Sequence, residues 1–180
     1  MHSSLIQIIE EQVLIGFSGK INIVDGESRQ ILGHIVLEDG DVWGTSFKGK
    51  VGLKAFYNLC LLDLESQSMN YIVEPELIKN YSRQIHYPFS VLKKKLSSLA
   101  SDFKAANRNR PPGNLKVIIN SGFIEMGDKI NNLEYSLLCT LSDYNKVEDV
   151  YKNSELLDFE ITSAFVSLRE KRALKVVRQD

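Results

Sequence analysis

Asp39-Gly40 stands between two apolar runs, ILGHIVLE and DVWGTSF. An Asp-Gly pair supplies two positive-φ residues, and the tight hairpin they form matches the natural twist of its strands. The runs on either side are therefore predicted to pair antiparallel. A second turn signal, Asp25-Gly26, closes a run in which Ile21 and Ile23 alternate with Lys20 and Asn22. Residues 16–47 thus read as a three-stranded antiparallel meander. Such a sheet hides one face under helices, and the flanking sequence provides them.

Residues 3–14, SSLIQIIEEQVL, open with serines that can cap a helix, and Leu5, Ile8, Ile9 and Val13 follow at helical spacing. In VGLKAFYNLCLL, the residues Val51, Ala55, Leu59 and Leu62 form one stripe that Phe56 widens. Val51 is thereby expected to begin a buried face. SQSMNYIVE reads as an edge strand with Met69, Tyr71 and Val73 on one side, ending before Pro75. Residues 88–106 open with a proline suited to a helix start, and Val91, Leu92, Leu96, Leu99 and Phe103 supply the apolar face. NRNRPPGN at 107–114 cannot continue a helix or pair inside a sheet. It is the expected boundary between a domain at 1–106 and another at 115–180.

Within the first domain, GTSFKGKV (44–51) is one residue short of the phosphate-binding pattern G-x-x-x-x-G-K-[ST]. That pattern needs a hydroxyl for Mg²⁺ where Val51 stands, and a central parallel strand where this chain has a hairpin. LCLLD at 59–63 imitates the strand that ends in a magnesium-positioning Asp, but too little chain separates it from Val51 for a crossover. The stretch therefore reads as strand, turn and helix start.

The same residues resemble the bacterial PATAN domain. The pattern is a leading helix, a Thr-Gly before a strand, an apolar strand closing on G-x-[IV]-x-x-A, and G-x-x-A-[FL] on a helix. The matching residues are Ser18-Gly19, then Gly40, Val42 and Trp43, then Gly49 and Gly52-Leu53-Lys54-Ala55-Phe56. Ser18 replaces threonine, and Gly44 stands where alanine is favoured. The resemblance covers the N-terminal two-fifths of the chain. It implies a protein-interaction module of bacterial signalling, tied to pilus or gliding motility, with a response regulator or motility component as partner. It implies no chemistry and no cofactor.

Beyond the linker, 132–141, 146–153 and 158–172 read as helices, and ALKVVR as a strand. Asp158 is the expected cap of the last helix, with Ile161, Ala164, Phe165 and Leu168 on its buried face. Three short helices and a strand are the parts of a winged helix. Residues 114–180 carry nine Lys/Arg against eleven Asp/Glu, and the candidate recognition helix opens with DFE. Phosphate contacts need the opposite sign. A protein-docking or homodimerising winged helix is the expectation, and a DNA-binding regulator the alternative.

Positive charge gathers at 79–110, where eight Lys/Arg face the single acid Asp102. Lys93, Lys94, Lys95, Arg83, Arg108 and Arg110 are the candidate partner-binding cations. Arg108 and Arg110 beside PPG also raise a nucleotide or cyclic-dinucleotide sensor as an alternative. Trp43, the only tryptophan, is either packed under a helix or an exposed anchor flanked by Phe47.

The net charge of −1 gives no pull toward nucleic acid or anionic membrane. Cys60 and Cys139 lie in apolar runs and are expected to be buried free thiols of a cytoplasmic protein. The three histidines are scattered, no catalytic triad can be nominated, and no membrane-spanning run is present. The sequence as a whole predicts an α+β meander domain joined to a mainly α winged-helix-like domain. It predicts a non-enzymatic signalling adaptor that docks proteins.

Overall fold

A computed structural model describes residues 4–65, 68–79, 81–127 and 129–177, with the side chains of Asn107 and Met126 excepted. The fold is mixed α+β, and the chain divides into two units, Met1–Ala100 and Ser101–Asp180.

The first unit opens with helix α1 (Leu5–Leu14), capped by Ser4 in a reciprocal capping box with Gln7. Strands β1 (Gly19–Asp25), β2 (Ile31–Glu38) and β3 (Asp41–Phe47) form the expected meander. Asp39 and Gly40 both take positive φ, 49° and 78°, as a two-residue type I′ turn requires. Two strands extend the meander, the expected edge strand and a short one that was not foreseen. β4 (Lys50–Val51) folds back on β3, and β5 (Met69–Pro75) joins β1, giving the antiparallel order β4-β3-β2-β1-β5.

β5 includes Pro75, contrary to the expectation that it stops before it. The Glu76 amide donates to the Ser18 carbonyl (3.4 Å), in register with the β1–β5 ladder. Residues 70, 72, 74 and 76 therefore direct their backbone groups toward β1. Pro75 directs its missing N–H toward the open edge, where no ladder bond is lost.

Helix α2 (Gly52–Asp63) packs on β3. Ile21, Ile23, Ile35, Leu37 and Val42 are fully buried, as are Ala55, Phe56 and Leu59 of α2 and Leu5 and Ile9 of α1. Each such large side chain contributes about 1.5–3 kcal/mol. Val51 does not belong to this stripe: it is 61% exposed. It sits in β4 opposite Ser46, and the chain turns into the helix only at Gly52 (φ +67°).

Asp63, at the end of α2, is buried among these elements. Its carboxylate accepts the Leu5 amide of α1 (2.9 Å) and the Tyr71 hydroxyl of β5. Burial first, then the bond to Asp63, pushes the Tyr71 hydroxyl well above its ordinary pKa. One side chain thus ties two helices to the edge strand.

Helix α3 (Phe89–Asn107) follows Pro88 and begins in the first unit. Leu92, Leu96 and Leu99 are buried as expected, whereas Val91 is exposed and Phe89 takes its place in the core. The unit boundary falls inside this helix, ahead of 107–114, because Phe103 and Ala106 are buried in the second unit.

The second unit contains β6 (Lys116–Ile119), α4 (Ser121–Met126), α5 (Asn132–Asp143), α6 (Val147–Asn153), α7 (Asp158–Glu170) and β7 (Leu174–Val177). β6 and α4 were not foreseen. β6 pairs antiparallel with β7, and its start also bonds to 145–147 through Val117 N–H to the Asn145 carbonyl (2.7 Å) and Val147 N–H to the Leu115 carbonyl (2.9 Å). The core joins Leu137, Val147, Val150, Ile161, Phe165 and Leu168. Asp158 is the first residue of α7 and not its cap. The Leu157 amide there is satisfied by the Glu160 carboxylate (2.8 Å).

Cys60 is buried, and burial pushes its thiol well up. Cys139 is exposed, contrary to expectation, because α5 turns Leu137 and Leu141 inward and leaves 135 and 139 on its outer face.

Glu134 is a fully buried carboxylate in α5. It accepts from the Asn131 amide (2.7 Å), the Ser167 hydroxyl (2.6 Å) and Lys171 (2.8 Å), joining the start of α5 to the end of α7. Burial alone would raise its pKa. The Lys171 and Ser167 hydrogen bonds, with the backbone donor, outweigh burial and hold it below 4.5.

Asp63→Ala strands the Leu5 amide and the Tyr71 hydroxyl. It is expected to cost about 2–3 kcal/mol, and Tyr71→Phe about 1 kcal/mol. Urea unfolding followed by the fluorescence of Trp43, which reports the first unit alone, measures both.

Because Glu134's folded pKa lies below its unfolded value, its contribution is complete above 4.5 and lost as pH falls through the folded value. Urea midpoints of the second unit, read from NMR methyl signals of Leu137 and Leu168, should fall with pH in that acid window. Glu134→Gln should lower the midpoint at pH 7 and flatten the acid slope.

Candidate functional site

Residues 81–85 cross β3 and bring several polar groups to the surface of the first unit. The amides of Gln84 and Ile85 both donate to the Trp43 carbonyl (2.8 and 3.0 Å). That carbonyl is available because Trp43 is an extra residue in β3: Val42 pairs with Leu37 and Gly44 with Val36, leaving Trp43 unopposed. Gly44 accommodates the crossing loop. A Cβ there would lie 2.8 Å from the Tyr81 ring and 3.0 Å from the Gln84 amide oxygen. The same Gln84 oxygen accepts the Gly52 amide (3.1 Å).

Arg83 then folds back over the bulge. Its guanidinium lies 5.8 Å from the Trp43 ring centroid, donates to Asp41 (3.0 Å), and donates from Nε to the Ile85 carbonyl (2.9 Å). Trp43 is half-buried beneath this cation, so it is neither fully packed under a helix nor a bare anchor. Phe47 is buried at 5% exposure, with Lys48 over its ring (5.2 Å), and so does not flank an exposed anchor, one of the two readings of Trp43.

Asp41 also lines a groove of about 520 Å³ between the end of α1, the β2–β3 turn and the start of α3. Lys93 and Lys94 line its far wall, with Ser90 and Ser97. Lys93 is held by both oxygens of Glu10 (2.7 and 2.8 Å), so its charge is largely spent inside the groove. Lys94 is exposed on the rim. Leu14, the last residue of α1, is 80% exposed and lines the groove. The site therefore couples an open apolar side chain with a surface cation.

The structure thus gathers Lys93, Lys94, Arg83 and Trp43 in one region. Lys95 is exposed on α3 and does not line the groove. Arg108 and Arg110 belong to the second unit. Arg108 is exposed, while Arg110 lies over the Tyr151 ring (4.2 Å) and pairs with Asp158 (3.4 Å). The linker itself packs on the second unit, with the Glu148 amide donating to the Gly113 carbonyl (3.0 Å).

Sequence reasoning missed Leu14, Glu10 and Asp41. Leu14 could have been found, since it stands about 180° round the helix from Leu5, opposite the buried stripe.

The near-P-loop forms no phosphate cradle. Lys48 and Gly49 take φ of 48° and 78°, closing a two-residue hairpin in which Lys50 pairs with Phe47. The glycine-rich stretch is consumed by the turn, and its strand is antiparallel on both sides.

In the second unit, α7 is covered near its start, where Phe103 meets Phe159 edge-on (6.3 Å between centroids). The groove beside it, about 440 Å³, is lined by Asp102, Glu160 and Glu170 among others. A recognition helix would have to present this acidic, occupied surface to phosphates.

Among the described residues, no cluster of three or more His, Cys, Asp or Glu is placed to hold a metal ion, and no helix is long and apolar enough to cross a membrane. No protein-family model, curated protein or solved structure matches the chain.

Val51→Thr completes the sequence pattern of a phosphate loop. Since Val51 is exposed in β4, the substitution should change stability by less than about 0.5 kcal/mol. Isothermal titration with ATP and Mg²⁺ should show no binding by either form; binding by the variant would overturn the hairpin reading.

Proposed function

We propose that this chain is a non-enzymatic bacterial signalling adaptor acting by protein–protein docking in the cytoplasm. The first unit is read as a PATAN-like domain and the second as a winged-helix-like domain. The motility or pilus context is what the PATAN resemblance implies. Residues of the PATAN pattern have roles here that need no chemistry. The Ser18 hydroxyl accepts the Asp39 amide (2.8 Å) and so fixes the β2–β3 turn beside the groove. The order α5, the pairing at 145–147, α6, α7 and β7 supports the winged-helix-like reading, with β6 filling the place of a wing strand.

The observation that carries the docking site is Leu14, almost fully exposed on a groove whose rim bears Lys94. An exposed leucine on a concave surface loses nothing by being covered and gains the burial of its side chain. The cation next to it selects the sign of what covers it. The partner segment this site fits is an apolar residue followed by a carboxylate.

The acidic surface around α7 favours a protein-docking second unit over a DNA-binding one. Duplex DNA should therefore show no mobility shift even at low salt, where phosphate contacts are strongest.

Capture from a bacterial lysate tests the groove. Proteins retained by the wild-type chain should be lost at least tenfold, about 1.4 kcal/mol, by Leu14→Asp and by Lys94→Glu. Lys95→Glu, off the groove, should retain them. Equal retention by all four forms would remove the groove as the docking site.

A further inference from the structure

The sheet of the first unit has two unequal edges. β4 offers two residues, one of them Lys50, and is closed by its own turn. β5 offers seven and, among the described residues, has no strand on its outer side. Its outward backbone groups follow from the register. Residues 72 and 74 bond toward β1, so Tyr71 and Val73 present their N–H and C=O groups to the open edge. Ile72 lies between them, 49% exposed.

We propose that β5 pairs antiparallel with β5 of a second copy of this chain, centred on Ile72, so that two five-stranded sheets become one. Backbone parity permits only registers that set odd residues opposite odd ones. Centring on Val73 would place Tyr71 opposite Pro75, which has no N–H to give. Centring on Tyr71 would place Ile72 opposite Asn70. Centring on Ile72 sets Tyr71 and Val73 as two hydrogen-bonded pairs and places Ile72 against its own copy.

The flanking side chains fit the same register. Asn70 and Glu74 share the face of Ile72, and each meets the other across the axis, an amide opposite a carboxylate. Glu74 already accepts an amide hydrogen bond from Asn22 on this face (2.5 Å). No like charges oppose one another. The line Asn-x-Ile-x-Glu is thus complementary to its own reverse, which singles out a second copy as the occupant. In this register Pro75 of each copy stands opposite Met69 of the other, so the missing N–H falls at the two ends of the pairing and limits both, and the two-residue edge at β4 cannot continue it. The contact is isologous and closes at two copies instead of growing into a fibre.

Sedimentation equilibrium across a concentration series should give twice the chain mass. Ile72→Glu, which sets a carboxylate against its own copy, should return the chain mass. Cysteine cross-linking keeps the test independent of that variant's folding. In a Cys139→Ser background, Ile72→Cys should form an intermolecular disulfide on mild oxidation, since opposed residues of a non-hydrogen-bonded pair lie within disulfide reach. Asn70→Cys should not, because its copy lies about 13 Å away along the strand. A wild-type monomer at every concentration, a dimer that survives Ile72→Glu, or equal cross-linking at 70 and 72 would each overturn the proposal.

Discussion

The Asp63 carboxylate is a buried acceptor that joins two helices and the edge strand of the first unit. The meander is local: each of its strands is tied to the next by a short connection. α1 begins 58 residues before Asp63 and β5 follows it closely, and both are brought to the same place. A buried acceptor at the end of α2 takes the first amide of α1 and the hydroxyl of β5. Removing it leaves the buried Leu5 amide and the half-buried Tyr71 hydroxyl without their acceptor, a penalty larger than the net worth of the bonds themselves. The β1–β5 ladder decides which amides of β5 face the open edge, and the Tyr71 bond to Asp63 ties that strand to α1 and α2.

What the sequence made legible was whatever depends on neighbours in the chain. Asp39-Gly40 announces its hairpin because the turn chemistry is contained in two residues. Ser4 and Gln7 announce α1 for the same reason. The 158–170 helix was legible because Ile161, Ala164, Phe165 and Leu168 recur at its period. Val51 was misread by the same logic. It continues the helical spacing perfectly, but Gly49 and Gly52 divert the backbone into a two-residue strand first, and a period count is blind to backbone direction. β6 was missed because four residues carry too little pattern, and its partners lie in 145–147 and 174–177.

The candidate site was legible only as charge. The basic excess at 79–110 is visible in composition, but composition cannot say which cations are spent. Lys93 is spent on Glu10, Arg83 on Asp41 and the Trp43 ring, and Arg110 on Asp158 and the Tyr151 ring. Each of these partners comes from a distant part of the sequence. The surviving feature, an exposed leucine beside Lys94, depends on where α1 ends relative to α3. The stretch that most resembled a functional motif, GTSFKGKV, turns out to be spent on folding. Gly49 closes a hairpin, Gly44 makes room for Tyr81 and Gln84, and its neighbour Trp43 supplies the bulge that accepts the Gln84 and Ile85 amides.

The register of β5 is the claim on which the anchor, the exposed edge and the pairing of copies all rest. Amide hydrogen exchange resolved residue by residue along β5 tests it most directly. The register predicts alternation in dilute protein, with Ile72 and Glu74 protected by β1 while Tyr71 and Val73 exchange freely. It also predicts that Tyr71 and Val73 become protected as the concentration is raised. Uniform protection along the strand, or protection of Tyr71 and Val73 with exposure of Ile72, would contradict it.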